Sequence, residues 1–101
     1  MSYFGSLDGH LYAVDIITGE EKWKFEIGDI IDSSPAVVDG MVYFGSLDGH
    51  LYAVDIITGE KKWKFETEHG ISSSPAVVDG MVYFGSWDNH LYALDALDKI
   101  I

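Results

Sequence analysis

Tyr3-Phe4-Gly5-Ser6-Leu7-Asp8-Gly9-His10 returns as Tyr43-Phe44-Gly45-Ser46-Leu47-Asp48-Gly49-His50, and again as Tyr83-Phe84-Gly85-Ser86-Trp87-Asp88-Asn89-His90. The spacing is 40 residues. Residues 3–42 and 43–82 agree at 34 of 40 positions and differ only at Glu21/Lys61, Ile27/Thr67, Gly28/Glu68, Asp29/His69, Ile30/Gly70 and Asp32/Ser72. A period near 40 with strand-like content marks a β-propeller or a related repeat array, because one such unit cannot bury both of its faces alone. Copies this similar cannot each carry a different catalytic group. The repeat therefore speaks to fold and assembly before it speaks to chemistry.

Four strands fit each period. Residues 73–78 read as a first strand, Met81–Ser86 (Met41–Ser46 one unit earlier) as a second, His50–Asp55 as a third and Lys62–Glu66 as a fourth. Asp39-Gly40 and Asp79-Gly80 join first strand to second, and Asp8-Gly9 and Asp48-Gly49 join second to third. Asp-Gly suits a type I′ hairpin turn, whose two central residues need positive φ, and Asn89 is the next-best substitute for glycine there. Pro35 and Pro75 stand at strand starts, where a missing N–H does least harm. Trp63 and Phe65 alternate with Lys62, Lys64 and Glu66, the pattern of an outer strand, whereas Ala76-Val77-Val78 and Val82-Tyr83-Phe84 are apolar on both faces. Only the tail 93–101 carries any helical periodicity.

The fold class expected is all-β, a propeller fragment of about two and a half four-stranded antiparallel blades. Residues 1–32 form a partial blade of strands two to four and residues 33–72 a complete blade. Residues 73–101 form a partial blade of strands one to three with an atypical tail. Met1 falls at the repeat position of Met41 and Met81, so the reading is of a natural fragment or an engineered repeat. Two and a half blades do not close a ring, and unclosed ends expose strand edges and apolar faces.

Composition narrows the partners. Seventeen acidic residues stand against six lysines and no arginine, a formal charge of −11. That balance disfavours nucleic acid and anionic membrane surfaces, which need cationic contacts, and keeps an aromatic-rich β protein soluble. There is no cysteine, hence no disulfide or thiolate metal site and no indication of redox compartment. No apolar run reaches membrane-spanning length, and the N-terminus lacks the regions of a signal peptide.

Between third and fourth strands the residues are Ala13-Val14-Asp15-Ile16-Ile17-Thr18-Gly19-Glu20-Glu21-Lys22-Trp23, recurring with Ala53, Asp55, Thr58, Gly59 and Trp63. This A-x-D-x-x-T-G-x-x-x-W pattern resembles the tryptophan-docking motif of propellers related to pyrroloquinoline quinone dehydrogenases. It is similar also to that of the non-catalytic scaffold lipoprotein of outer-membrane assembly. The resemblance implies that Trp23 and Trp63 pack blade to blade while the Asp and Thr fasten the turn. It also implies a periplasmic or extracellular setting. The third copy keeps Ala93 and Asp95 but continues Ala96-Leu97-Asp98-Lys99, without Thr-Gly or Trp, so docking is expected to fail there. Trp87 replaces Leu7 and Leu47, and is expected to fill space left by the absent fourth strand.

The enzymes of that family resemble one another in a complete ring, a calcium held by dissimilar residues, a catalytic aspartate and a vicinal cysteine pair. This chain has no cysteine and no unrepeated acidic cluster, so no catalytic residue, cofactor or metal is expected. His10, His50 and His90 recur just after a turn and read as strand-start residues. Ser33, Ser34 and Ser72–Ser74 have no in-phase base to activate them and read as channel lining. Five of the six substitutions fall at 27–32 against 67–72, read as drift in a loop. The function expected is a non-catalytic, self-associating structural or protein-interaction scaffold, a dimer before a trimer or higher ring, with an unidentified protein or peptide partner in addition. Two alternatives are a severed piece of a quinone-dependent dehydrogenase propeller and the ligand-sensing propeller of a larger surface or signalling protein.

Overall fold

The computed structural model describes residues 1–96; the expectations for the tail from Leu97 onward lie outside the described residues. Ten strands follow in chain order: β1 Ser2–Gly5, β2 His10–Val14, β3 Glu21–Glu26, β4 Ala36–Val38, β5 Met41–Gly45, β6 His50–Asp55, β7 Lys61–Glu66, β8 Ala76–Val78, β9 Met81–Gly85 and β10 Leu91–Asp95. They form a four-stranded central sheet, β4-β5-β6-β7, flanked by β1-β2-β3 and by β8-β9-β10. Every pairing is antiparallel. Residues 93–95 belong to β10, so helical periodicity in that part of the tail is overridden by pairing with β9. No helix among the described residues is long and apolar enough to cross a membrane.

Two apolar layers hold the sheets together. Leu11, Ile31, Val42, Phe44, Tyr52 and Val54 fill the space between the first and central sheets. Tyr43, Leu51, Ala53, Trp63, Ile71, Val82, Phe84 and Leu94 fill the space between the central and third. Alternation along a strand sends odd and even residues to opposite faces. Thus β5 serves both layers and is buried along its whole length, while β9 buries Val82 and Phe84 and leaves Tyr83 exposed. Each fully buried Phe or Leu contributes roughly 1.5–3 kcal/mol.

The hairpins are of two kinds. Asp39 and Gly40, at φ 50° and 80°, both occupy the left-handed region, as do Asp79 and Gly80, the geometry of a type I′ turn. The turns at Asp8-Gly9 and Asp48-Gly49 differ from that expectation. Ser6 N–H donates to the His10 carbonyl and Gly9 N–H to that of Ser6, closing a three-residue loop in which only the last residue has positive φ. Asn89 takes that place at φ 71° in the third unit.

The first strand is shorter than expected, beginning at Ala36 and Ala76. Pro35 and Pro75 stop the ladder, and a serine hydroxyl continues it. Gly45 N–H donates to Ser33 Oγ at 2.9 Å and Gly85 N–H to Ser73 Oγ at 2.9 Å. Ser33 is buried, and its hydroxyl fastens two strands. The connection 67–72 is likewise no idle loop. Thr67 Oγ1 is buried and lies 2.9 Å from the Gly49 carbonyl, and Trp87 N–H reaches the Gly70 carbonyl of the preceding connection. The Gly70 carbonyl, like that of Ile30 one unit earlier, thus meets the backbone of the next unit.

Candidate functional site

The turn between the third and fourth strands is where the units engage one another. Asp15 Oδ1 accepts from the backbone N–H groups of Ile17 (2.8 Å) and Thr18 (3.1 Å), and Thr18 Oγ1 accepts from Glu20 N–H. Asp55, Ile57, Thr58 and Glu60 repeat this at the same distances. Those backbone donors stabilise the carboxylates and lower the pKa of both aspartates. The turn so fixed offers two things to its neighbour: the Ile56 carbonyl and the bare face of Gly59.

Trp23 takes both. Its indole N–H donates to the Ile56 carbonyl at 3.0 Å, and its ring lies so close to Gly59 that a Cβ there would stand 2.6 Å from it. On its own sheet Trp23 pairs across from Ala13 and lies 5.8 Å from the Tyr3 ring. Trp63 has the same surroundings on its own sheet, Ala53 opposite and Tyr43 at 5.9 Å. It is buried against the third sheet, yet its indole nitrogen has no hydrogen-bond partner among the described residues. At Gly19, the counterpart of Gly59, nothing among the described residues lies within 4 Å of a would-be Cβ. One turn is thus filled by an aromatic ring and its twin stands open.

A second recurring group was not foreseen from the sequence. Tyr12, Tyr52 and Tyr92 each donate their hydroxyl to the aspartate four residues earlier, at 2.6 Å for Tyr52 to Asp48. The same aspartates accept the backbone N–H of His10, His50 and His90. So Asp8, Asp48 and Asp88 brace the hairpin from inside, and the in-phase Tyr two residues after each His was the signal. The imidazoles stand 3.2–3.3 Å from these carboxylates, one per sheet. Among the described residues no group of three or more His, Cys, Asp or Glu is arranged to hold a metal ion.

The tyrosine bond, then the backbone bonds, pull Asp88 down to about 2, and the same contact raises Tyr92 to about 12. A depressed carboxylate pKa stabilises the fold above the unfolded value near 4, and that contribution is lost as pH falls from about 4 to about 2. Urea unfolding at pH 7, 4 and 2.5 is expected to show stability falling over the lower interval. Asp88→Asn should make that fall shallower. An unchanged slope in the variant would remove Asp88 from the acid transition.

Trp87 contacts the preceding connection. It is exposed, on the loop between β9 and β10, and donates its indole N–H to Ser72 Oγ at 2.9 Å. An open cleft of about 400 Å³ lies beside β1, lined by Tyr3, Phe4, Ile31, Asp32, Ser33 and Ser34 among others. It brings together no acid–base pair.

Comparison with known proteins agrees with this geometry. A family model described as outer membrane protein assembly factor BamB, of the PQQ-type repeat, matches residues 7–100. No curated protein matches the chain significantly. Among solved structures, a quinohemoprotein alcohol dehydrogenase from Pseudomonas putida HK5 is 29% identical with a TM-score of 0.85, over 93% of this chain and 17% of that one. BamB from Moraxella catarrhalis is 22% identical with a TM-score of 0.80, over 98% and 36%. The computationally designed Ika4 protein is 22% identical with a TM-score of 0.81, over 92% and 58%. The last two likenesses bear on fold alone. The chain spans between 17% and 58% of the length of these proteins.

Proposed function

The chain belongs to the PQQ-type propeller repeat family of outer membrane protein assembly factor BamB, and from that premise we propose that it is a non-catalytic propeller module whose copies join end to end. One observation carries the reading: the faces buried inside the array are bare at its ends. Phe44 and Phe84 are 0% and 2% exposed, while Phe4 at the same repeat position is 43% exposed. Tyr43 and Leu51 are buried, while Tyr83 and Leu91 are exposed.

The two bare faces match as the inner ones do. Tyr43, Leu51 and Ala53 pack toward Val82, Phe84 and Leu94 of the next sheet. By the same geometry Tyr83, Leu91 and Ala93 of one copy meet Phe4, Tyr12 and Val14 of a second. The contact is head to tail, and such contacts make closed rings when the rotation closes. Two copies give six sheets. The match to an assembly factor supports a scaffold role at the bacterial envelope, periplasmic or extracellular.

Absolute mass by light scattering after size exclusion, over a dilution series, tests the reading. A discrete multiple of the 11.2 kDa chain mass is expected, twice that mass first. A monomer throughout the series overturns it. The likeness to an alcohol dehydrogenase favours a second reading, a piece of a quinone-dependent enzyme. Saturable binding of pyrroloquinoline quinone with calcium would support that one instead.

A further inference from the structure

Among the described residues the third sheet, β8-β9-β10, ends at β10, where the central sheet continues into β7. In the central sheet Leu51 faces Phe65 and Ala53 faces Trp63 across β6 and β7. In the first sheet Leu11 faces Phe25 and Ala13 faces Trp23. Leu11, Ala13, Leu51 and Ala53 are all 0% exposed. Their counterparts Leu91 and Ala93 lie open, Leu91 at 79%. Tyr3 and Tyr43 each carry a tryptophan ring against them, and Tyr83 at the same place is 39% exposed. The third sheet thus has the floor of a strand site, with a leucine seat for Phe, an alanine gap for Trp and a tyrosine wall beside it.

We propose that the β10 edge captures an extended peptide bearing Trp-x-Phe, bound antiparallel in the register of β7 on β6. Main-chain hydrogen bonds to the open edge give affinity, and the seats at Leu91 and Ala93 give specificity, as in other cases of strand addition. The alternation is required because only one face of the added strand meets apolar surface. Lysines between and before the aromatic residues suit a chain of net charge −11. The occupant's chemistry is written twice in the chain itself, as Lys22-Trp23-Lys24-Phe25 and Lys62-Trp63-Lys64-Phe65. Among the described residues β3 and β7 are open edges too, but charged Lys and Glu alternate with Trp and Phe along them, and charge on an edge strand discourages pairing.

The probe is a fluorescein-labelled synthetic peptide with the sequence of residues 60–67, titrated into the full chain and followed by anisotropy. Saturation at one peptide per chain is expected. Alanine at the peptide's Trp, or moving Trp and Phe by one residue onto the other face, should weaken binding by about tenfold or more, near 1.4 kcal/mol. Leu91→Lys in the chain should do the same, and its exposed position leaves folding intact. Hydrogen exchange should slow at Leu91–Asp95 on binding. No saturation up to about 1 mM, equal binding of the shifted peptide, or protection at β1 instead of β10 would each overturn the proposal. The site stands on the third sheet alone. A monomer that binds the peptide removes the end-to-end reading and keeps this one; an oligomer that does not bind does the reverse.

Discussion

Gly59→Ala is expected to cost about 2–5 kcal/mol, and Gly19→Ala only about 1–2, although the two glycines occupy the same place in nearly identical turns. Both have positive φ, 77° and 75°, so alanine pays the same left-handed penalty of roughly 1–2 kcal/mol at each. Only at 59 does the new methyl meet an indole, 2.6 Å from Trp23. Relieving that overlap means moving Trp23 off the turn, an overpacking cost of about 1–3 kcal/mol. It also endangers the bond from its N–H to the Ile56 carbonyl. Urea midpoints for the two variants check the difference. A double variant, Gly59→Ala with Trp23→Ala, sharpens the test. Once the ring is gone the alanine has nothing to strike, so the two changes should cost less together than their sum. Equal costs at 19 and 59, or strict additivity, would mean that Trp23 rests on the turn without holding it.

Much of this was legible in the chain. The 40-residue period, the Asp-Gly pairs and the Lys-Trp-Lys-Phe alternation specify antiparallel sheets stacked side by side, because each is a local rule with a physical cause. The third strand was read to the residue, since His50–Asp55 sits between two turns. What escaped was whatever depends on the neighbouring unit. Ile56 takes part in docking through its carbonyl, which no side-chain pattern announces. Ser33 reads as a polar residue near a channel until the β4–β5 ladder is seen to begin only at Ala36, beyond which the Ser33 hydroxyl accepts the Gly45 N–H. Residues 67–72 look like drift because variation in a loop usually means freedom. Thr67 is nevertheless buried, with its hydroxyl on the Gly49 carbonyl. Repeats hide such differences, since the letters are the same while the surroundings change along the array.

Phe4, Phe44 and Phe84 carry that last point to its largest measurable consequence. Phe44 is fully buried, 5.4 Å from the Tyr52 ring in a stacked arrangement and 6.4 Å from Phe25 edge-on. Phe44→Ala should cost about 3–5 kcal/mol by loss of apolar contact and the cavity left behind. A domain of this size has roughly 5–15 kcal/mol to lose, so the variant is expected near the edge of folding. Phe4 has the same stacked partner, Tyr12 at 5.4 Å, but its outer side faces solvent. In a lone chain Phe4→Ala therefore costs far less than Phe44→Ala. In a ring closed by the third sheet of another copy, Phe4 is as enclosed as Phe44, and its loss is felt at the joint between copies. The expected result is that Phe4→Ala leaves the circular dichroism of the folded chain unchanged at high dilution and lowers the assembled mass to that of one chain. An unchanged mass would show that copies meet somewhere other than this face. A large loss of stability in a protein already monomeric would show that Phe4 is held from within its own sheet. The same substitution at three equivalent letters thus separates what the unit supplies from what the array supplies.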